Sequence, residues 1–193
     1  MTSSEKYSEK KLTKLLKKRD SSAMKALYCQ YAEYLTAVCS RYVIDTEDVR
    51  DILHDSFIKI FTSIEKFEYR EVGSLKAWMT RIVVNDSLKF LTQNDRFTNI
   101  QDENDFPGAA DDSEPDTDTV PASAIQEMIR QLPTGYRTVF NLYVFEEKSH
   151  KEIAEILNIK EDTSASQLHR AKSMLAKQIN EYKASANGRT MDK

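Results

Sequence analysis

The chain has 193 residues, 40% of them apolar and 31% charged, with a formal net charge of −3. That length suits one domain or two small ones, and the composition is that of a soluble globular protein. It excludes a membrane-inserted chain, because no apolar run approaches the roughly 20 residues of a span.

No apolar segment follows the N-terminal charges, so no signal peptide is expected, and the plain inference is a cytoplasmic protein. The two cysteines, Cys29 and Cys39, lie ten apart in one expected helix and build no disulfide framework. A zinc site with His54 would lack a paired motif, so both thiols are expected to be buried.

Residues 1–20 open with a polar tail. Lys10, Lys11, Lys14, Lys17, Lys18 and Arg19 then surround Leu12, Leu15 and Leu16, which reads as a short basic helix packed by its leucines. Asp20, Ser21 and Ser22 offer an N-cap for the next helix. That helix carries Met24, Leu27, Tyr28, Tyr31, Leu35 and Val38 on a broad apolar face.

Two amphipathic helices follow. The first is expected from about Thr46 to Ser63, with Val49, Ile52, Leu53, Phe57 and Ile60 on its apolar stripe. Asp48, Asp51 and Asp55 recur three and four apart on the other side. Acids near a helix N-terminus complement the macrodipole, which accounts for Asp48 and Asp51 but not for Asp55, two turns in. A basic protein partner accounts for all three. The second helix starts after Gly73 and Ser74 and buries Leu75, Trp78, Met79, Ile82 and Val83. Arg81, Asn85 and Lys89 lie four apart on a different, basic and polar face, which suits an anionic partner.

From Thr92 to Pro121 apolar periodicity stops. Eight acids and no Lys or Arg lie between Gln101 and Val120. This reads as a flexible acidic linker, extended by self-repulsion. With −3 on the whole chain and −8 in that segment, the rest carries +5, so the acidic total does not argue against nucleic acid.

The second domain begins at Ala122. Ile125, Met128, Ile129 and Leu132 share one helix face, and Pro133 ends that helix and starts the next, which is expected to hold Tyr136, Val139, Phe140, Tyr143 and Val144 inside. Ser149 and Glu152 have capping-box spacing before a helix that runs to Leu157. Asn158-Ile159 makes a tight turn, and Thr163 is expected to cap a final helix. Short helix, tight turn and second helix form a helix-turn-helix pattern, held by Ile153, Ala154, Ile159 and Leu168. The outer face of the second helix is expected to carry Ala165, Ser166, Gln167, His169, Arg170 and Lys172. An exposed Gln matches the donor–acceptor edge of adenine, and Arg suits phosphate or guanine. Without a partner, the same face is only a solvated surface. The fold class is therefore all-α: two small helical domains, 1–91 and 122–193, joined by the acidic linker 92–121.

These strings resemble a known family. Glu47-Asp48-Val49-Arg50-Asp51-Ile52-Leu53-His54-Asp55-Ser56-Phe57 looks like the core-polymerase-binding helix of bacterial sigma factors. Phe67 through Gly73-Ser74-Leu75-Lys76-Ala77-Trp78 to Arg81-Ile82-Val83-Val84-Asn85 looks like their promoter-melting segment. Leu132-Pro133, Tyr136-Arg137, Glu152-Ile153-Ala154, Thr163, Ser166, Leu168 and Arg170-Ala171 resemble their −35-reading domain. The extracytoplasmic-function type of the sigma-70 family fits best. Two departures stand out: His54-Asp55 replaces the usual Gln-Glu, and Ala165 stands where the family often has a basic residue.

The resemblance implies a sigma factor that binds core RNA polymerase, directs it to promoter DNA and opens the −10 element. Asp48, Asp51, His54 and Asp55 would meet the polymerase. Phe67, Tyr69, Gly73, Ser74, Lys76, Arg81 and Asn85 would hold the melted −10 strand, with one base flipped into the loop. Thr163, Ala165, Ser166, Gln167, His169, Arg170 and Lys172 would meet the −35 element. The family often has an anti-sigma factor as a further partner. No catalytic constellation, metal-ligand spacing or glycine-rich phosphate loop is present in the sequence, so neither an enzyme nor a cofactor is expected. A dimeric helix-turn-helix regulator acting without polymerase, and a protein-binding adaptor that leaves DNA alone, are the competing readings.

Overall fold

The computed structural model describes residues 7–93, 117 and 119–188. The regular elements among the described residues are all helices, with no strand, and the chain divides into two compact units at residue 94. The expected acidic linker lies largely outside the described residues.

The first unit holds α1 (Glu9–Leu16), α2 (Ser21–Ser40), α3 (Thr46–Ser63) and α4 (Ser74–Gln93). Local chemistry sets the helix starts. Asp20 accepts from the Ala23 amide at 3.0 Å, and Asp45 accepts from the amides of Glu47 and Asp48 at 2.9 and 3.0 Å. Arg19, at φ 57°, ends α1 in the left-handed conformation, where the Asp20 amide closes back on the Leu15 carbonyl.

α2, α3 and α4 pack against one another, with α1 laid on α2 and α4. Leu12, Leu27, Leu35, Val38, Tyr42, Ile60, Leu75, Met79 and Val83 fill the core. Asp86 of α4 ties α3 to it, accepting from Ser56 at 2.8 Å and pairing with Lys59. Cys39 is buried, as expected, but Cys29 is exposed. The ten-residue spacing turns it away from the core side of α2 that holds Cys39.

The second unit holds α5 (Ala122–Gln131), α6 (Thr134–Val144), α7 (His150–Leu157) and α8 (Glu161–Gly188). α8 is its axis, packed by the other three helices. Tyr143 and Val144, expected inside, are exposed, because they close the last turn of α6. Val120, Met128, Ile129, Leu132, Tyr136, Ala171, Leu175 and Ile179 form one core cluster. The capping box at Ser149 and Glu152 is present, and Asn158 turns α7 into α8 at φ 53°, ψ 46°.

Arg137 is only 3% exposed and donates to the carbonyls of Arg130 and Leu132 at 3.1 and 2.8 Å. It therefore holds the end of α5 against α6. Burial, with the charge of Arg130, lowers its pKa to about 10. Thr163 does not cap the last helix. α8 begins two residues earlier, with the Ser164 amide bonded to the Lys160 carbonyl, so Thr163 sits inside the first turn.

Candidate functional site

The α3 acid stripe is built as the spacing predicts at Asp51 and Asp55, the two positions furthest along it. Asp51, His54 and Asp55 are exposed, and among the described residues no side chain pairs with Asp51 or Asp55. Asp48, in the first turn, is half-buried. Glu47 and Arg50 pair with each other at 2.6 Å and leave the acids beyond them uncompensated.

Beside this stripe runs an apolar groove between α2 and α3, lined by Tyr28, Ala32, Val49, Leu53, Phe57 and Phe61. The sequence places Tyr28 on the buried face of α2. It is 54% exposed, with its ring 4.9 Å from Phe57. Ile58 and Phe61, apolar residues outside the main stripe, are the sequence signal that the apolar arc of α3 is too wide for its helix partners.

On α4, Arg81 and Asn85 are exposed at one-turn spacing, and Lys89 continues the line. Lys76 Nζ sits 3.9 Å above the Tyr34 ring, and the Tyr34 hydroxyl bonds Thr80 at 3.2 Å. The loop before α4 departs from expectation at one position. Phe67 is 7% exposed, its ring 5.0 Å from that of half-buried Trp78, so it is a packing residue and offers no free face to a base. Tyr69 and Ser74 are half-buried and partly reachable. Gly73 adopts φ +94°, a conformation that favours glycine.

Glu9 carries no local sequence signal of a role at this loop. Its Oε2 accepts from the amides of Gly73 and Leu75 at 2.8 and 3.2 Å, and its Oε1 from the Lys76 amide at 3.3 Å. The Tyr31 hydroxyl also donates to Oε1, at 3.2 Å. Burial, together with this neighbouring carboxylate, pushes the Tyr31 pKa up to about 12, so the phenol stays a donor.

On α8, Ala165, Ser166, His169 and Lys172 are exposed, and Arg170 is half-buried with a bond to the Tyr136 hydroxyl at 3.3 Å. Gln167 overturns the expectation of a base reader. It is 2% exposed, and neither of its amide atoms has a hydrogen-bond partner. One residue from Leu168, it falls on the covered side of α8 while Ser166 and His169 fall outside. Ser164 is also buried, and its Oγ lies 3.0 Å from His150 Nδ1, joining the starts of α7 and α8. Among the described residues no cluster of His, Cys, Asp or Glu could hold a metal, and no helix is long and apolar enough to cross a membrane.

Two family descriptions match this chain. One is Sigma-70 region 2, over residues 27–97, and the other is Sigma-70, region 4, over residues 122–175. Together they span well over half of the sequence. The ECF RNA polymerase sigma-E factor of Haemophilus influenzae is 27% identical over 186 residues, covering 91% of this chain and 97% of that protein. The ECF RNA polymerase sigma factor SigW of Bacillus subtilis is 28% identical over 183 residues, covering 88% and 96%. A solved structure of CnrH in complex with the cytosolic domain of CnrY is 18% identical, with a TM-score of 0.49, covering 90% of this chain and 97% of that one.

Proposed function

This chain belongs to the sigma-70 family, of the extracytoplasmic-function type, and on that premise we propose how its surfaces divide the work of initiating transcription. As a sigma factor it binds core RNA polymerase and directs it to promoters. Residues 1–91 form the polymerase-binding and −10 domain, 122–193 the −35 domain, and the acidic segment 92–121 joins them. The protein works in the cytoplasm and carries out no catalytic step of its own. An anti-sigma factor is its expected regulator.

Asp51 and Asp55, flanked by Asp48 and His54, meet a basic surface of the polymerase, and the apolar groove beside them adds non-polar area to the same contact. Charge on the rim of such an interface steers association, and buried apolar surface holds it. On α4, Lys76, Arg81 and Asn85, with Tyr69 and the Gly73–Ser74 turn, receive the melted −10 strand. Extruding a base costs a few kcal/mol, which stacking and hydrogen bonds in the loop offset. On α8, Ala165, Ser166, His169, Arg170 and Lys172 face the −35 element.

The observation that carries this reading is the order of the two matched regions on one chain, with the unpaired acids Asp51 and Asp55 exposed on the first and the polar residues Ser166, His169 and Lys172 exposed on the second. A dimeric regulator working without polymerase leaves the unpaired Asp51 and Asp55 without a use. Co-purification with core polymerase is the test. The wild-type chain should bind, and Asp51→Lys with Asp55→Lys should abolish binding while helicity stays intact. Unchanged core affinity in that variant would sink the assignment.

A further inference from the structure

α4 begins at a residue with no side chain to cap it. The Gly73 carbonyl accepts the first intrahelical bond, from the Ala77 amide at 2.9 Å, so Gly73 is the N-cap. Its φ of +94° favours glycine, and glycine has no side-chain oxygen to offer the orphan amides of the first turn. In an ordinary helix a Ser, Thr, Asp or Asn at that position would accept from the second or third helical amide, and a Glu in the first turn would reach back to the N-cap amide.

Here one carboxylate from another helix takes both roles. Glu9, 64 residues before Gly73, accepts from the N-cap amide and from the second and third helical amides, those of Leu75 and Lys76. It also carries negative charge to the positive end of the α4 dipole. The Tyr31 hydroxyl of α2 donates to the same carboxylate and fixes its position. The loop held in this way is the one read above as the base-receiving loop. Within the loop, the Glu71 carbonyl accepts from the Ser74 amide and hydroxyl at 3.1 and 2.7 Å, and the Arg70 amide donates to Ser74 Oγ at 3.4 Å, while the Val72 side chain is 88% exposed, so these local bonds all converge on Ser74, next to the amides that Glu9 holds.

We infer that Glu9 is a positioning residue for promoter opening: through one carboxylate, α1 sets the backbone of residues 73–76 and thereby the geometry of the loop that receives the flipped base. This rests on reading residues 69–74 as the base-capture loop. Base capture needs a preformed receptor, since binding energy spent on ordering the loop is not available to offset unstacking.

The test uses full-length chain in reconstituted holoenzyme, on the strongest promoter found by run-off transcription with that holoenzyme. Glu9→Ala should leave core affinity and helicity unchanged, while the amides of Gly73, Leu75 and Lys76 exchange with solvent about tenfold faster or more. Transcription from duplex promoter should fall about ten- to a hundredfold, the scale on which displaced reacting groups lose rate. A template already opened at the −10 element should recover most of that loss. Glu9→Gln, which keeps one acceptor oxygen at the same reach, should restore part of it. A role confined to stability would lower activity equally on both templates, and that outcome overturns the inference. Tyr69→Ala is the control for the underlying reading. If it impairs duplex melting and Glu9→Ala does not, only the role of Glu9 falls. If Tyr69→Ala has no effect on either template, the base-capture reading falls and takes this inference with it.

Discussion

Replacing Gln167 by Met tests whether that residue reads DNA or only fills space. The two side chains are close in length and volume, so the exchange neither opens a cavity nor overpacks the site. Both amide atoms of Gln167 are buried without partners in a residue 2% exposed. An unsatisfied buried polar group costs about 1–3 kcal/mol, so Gln167→Met should stabilise the second unit by roughly that amount. For a domain of this size each kcal/mol raises the Tm by about 4–8 °C. Tryptophan fluorescence is the wrong probe, because the single tryptophan, Trp78, lies in the first unit. Hydrogen exchange along α8, or the circular-dichroism transition of the second unit, reports the change directly. Binding to −35 duplexes with single-base substitutions should keep its pattern of preference. Loss of discrimination at one base pair, or a destabilisation of the second unit, would show that Gln167 turns outward to the groove and would refute this reasoning.

Three further outcomes follow from the same surfaces. Lys172→Ala should weaken binding to all −35 sequences alike and reduce the salt slope by about one, because a phosphate contact carries no sequence information; a change confined to one base pair would contradict this. Core binding through the exposed Asp51 and Asp55 should weaken as salt rises, and salt-independent affinity in a titration would point to the apolar groove as the dominant contact. Glu152 has its pKa lowered from 4.5 to about 2, by its bond from Lys148 and then by those from Ser149. A depressed folded-state pKa means stability present at neutral pH and lost as pH falls from about 5 towards 2. Glu152→Gln should therefore flatten the acid dependence of α7 unfolding over that window, and an unchanged slope would rule the capping box out as its source.

Short-range chemistry made much of this protein legible from its sequence. Asp20 caps α2, Ser149 and Glu152 form their box, Asn158 takes the left-handed turn, and Asp51 and Asp55 stand on a solvent face. Each of these depends on residues within about four positions of one another, where helix geometry fixes who meets whom. The resemblance to sigma factors is carried by the same local strings.

Tertiary structure decided the rest. Periodicity sorts side chains into faces, but it does not say how wide a strip a neighbouring helix covers. Gln167 lies at the margin of the α8 core face and goes under, whereas Tyr28 lies on the expected core face of α2 and stays out. Phe67 precedes a loop and reads as available until Trp78, eleven residues on, packs against it. The capping of α4 by Glu9 has no local signature at all. In sequence, the helix is expected to start only after Gly73 and Ser74, and Glu9 is one charge in a polar tail. Only the packing of α1 on α2 and α4 brings the carboxylate to the three amides that need it.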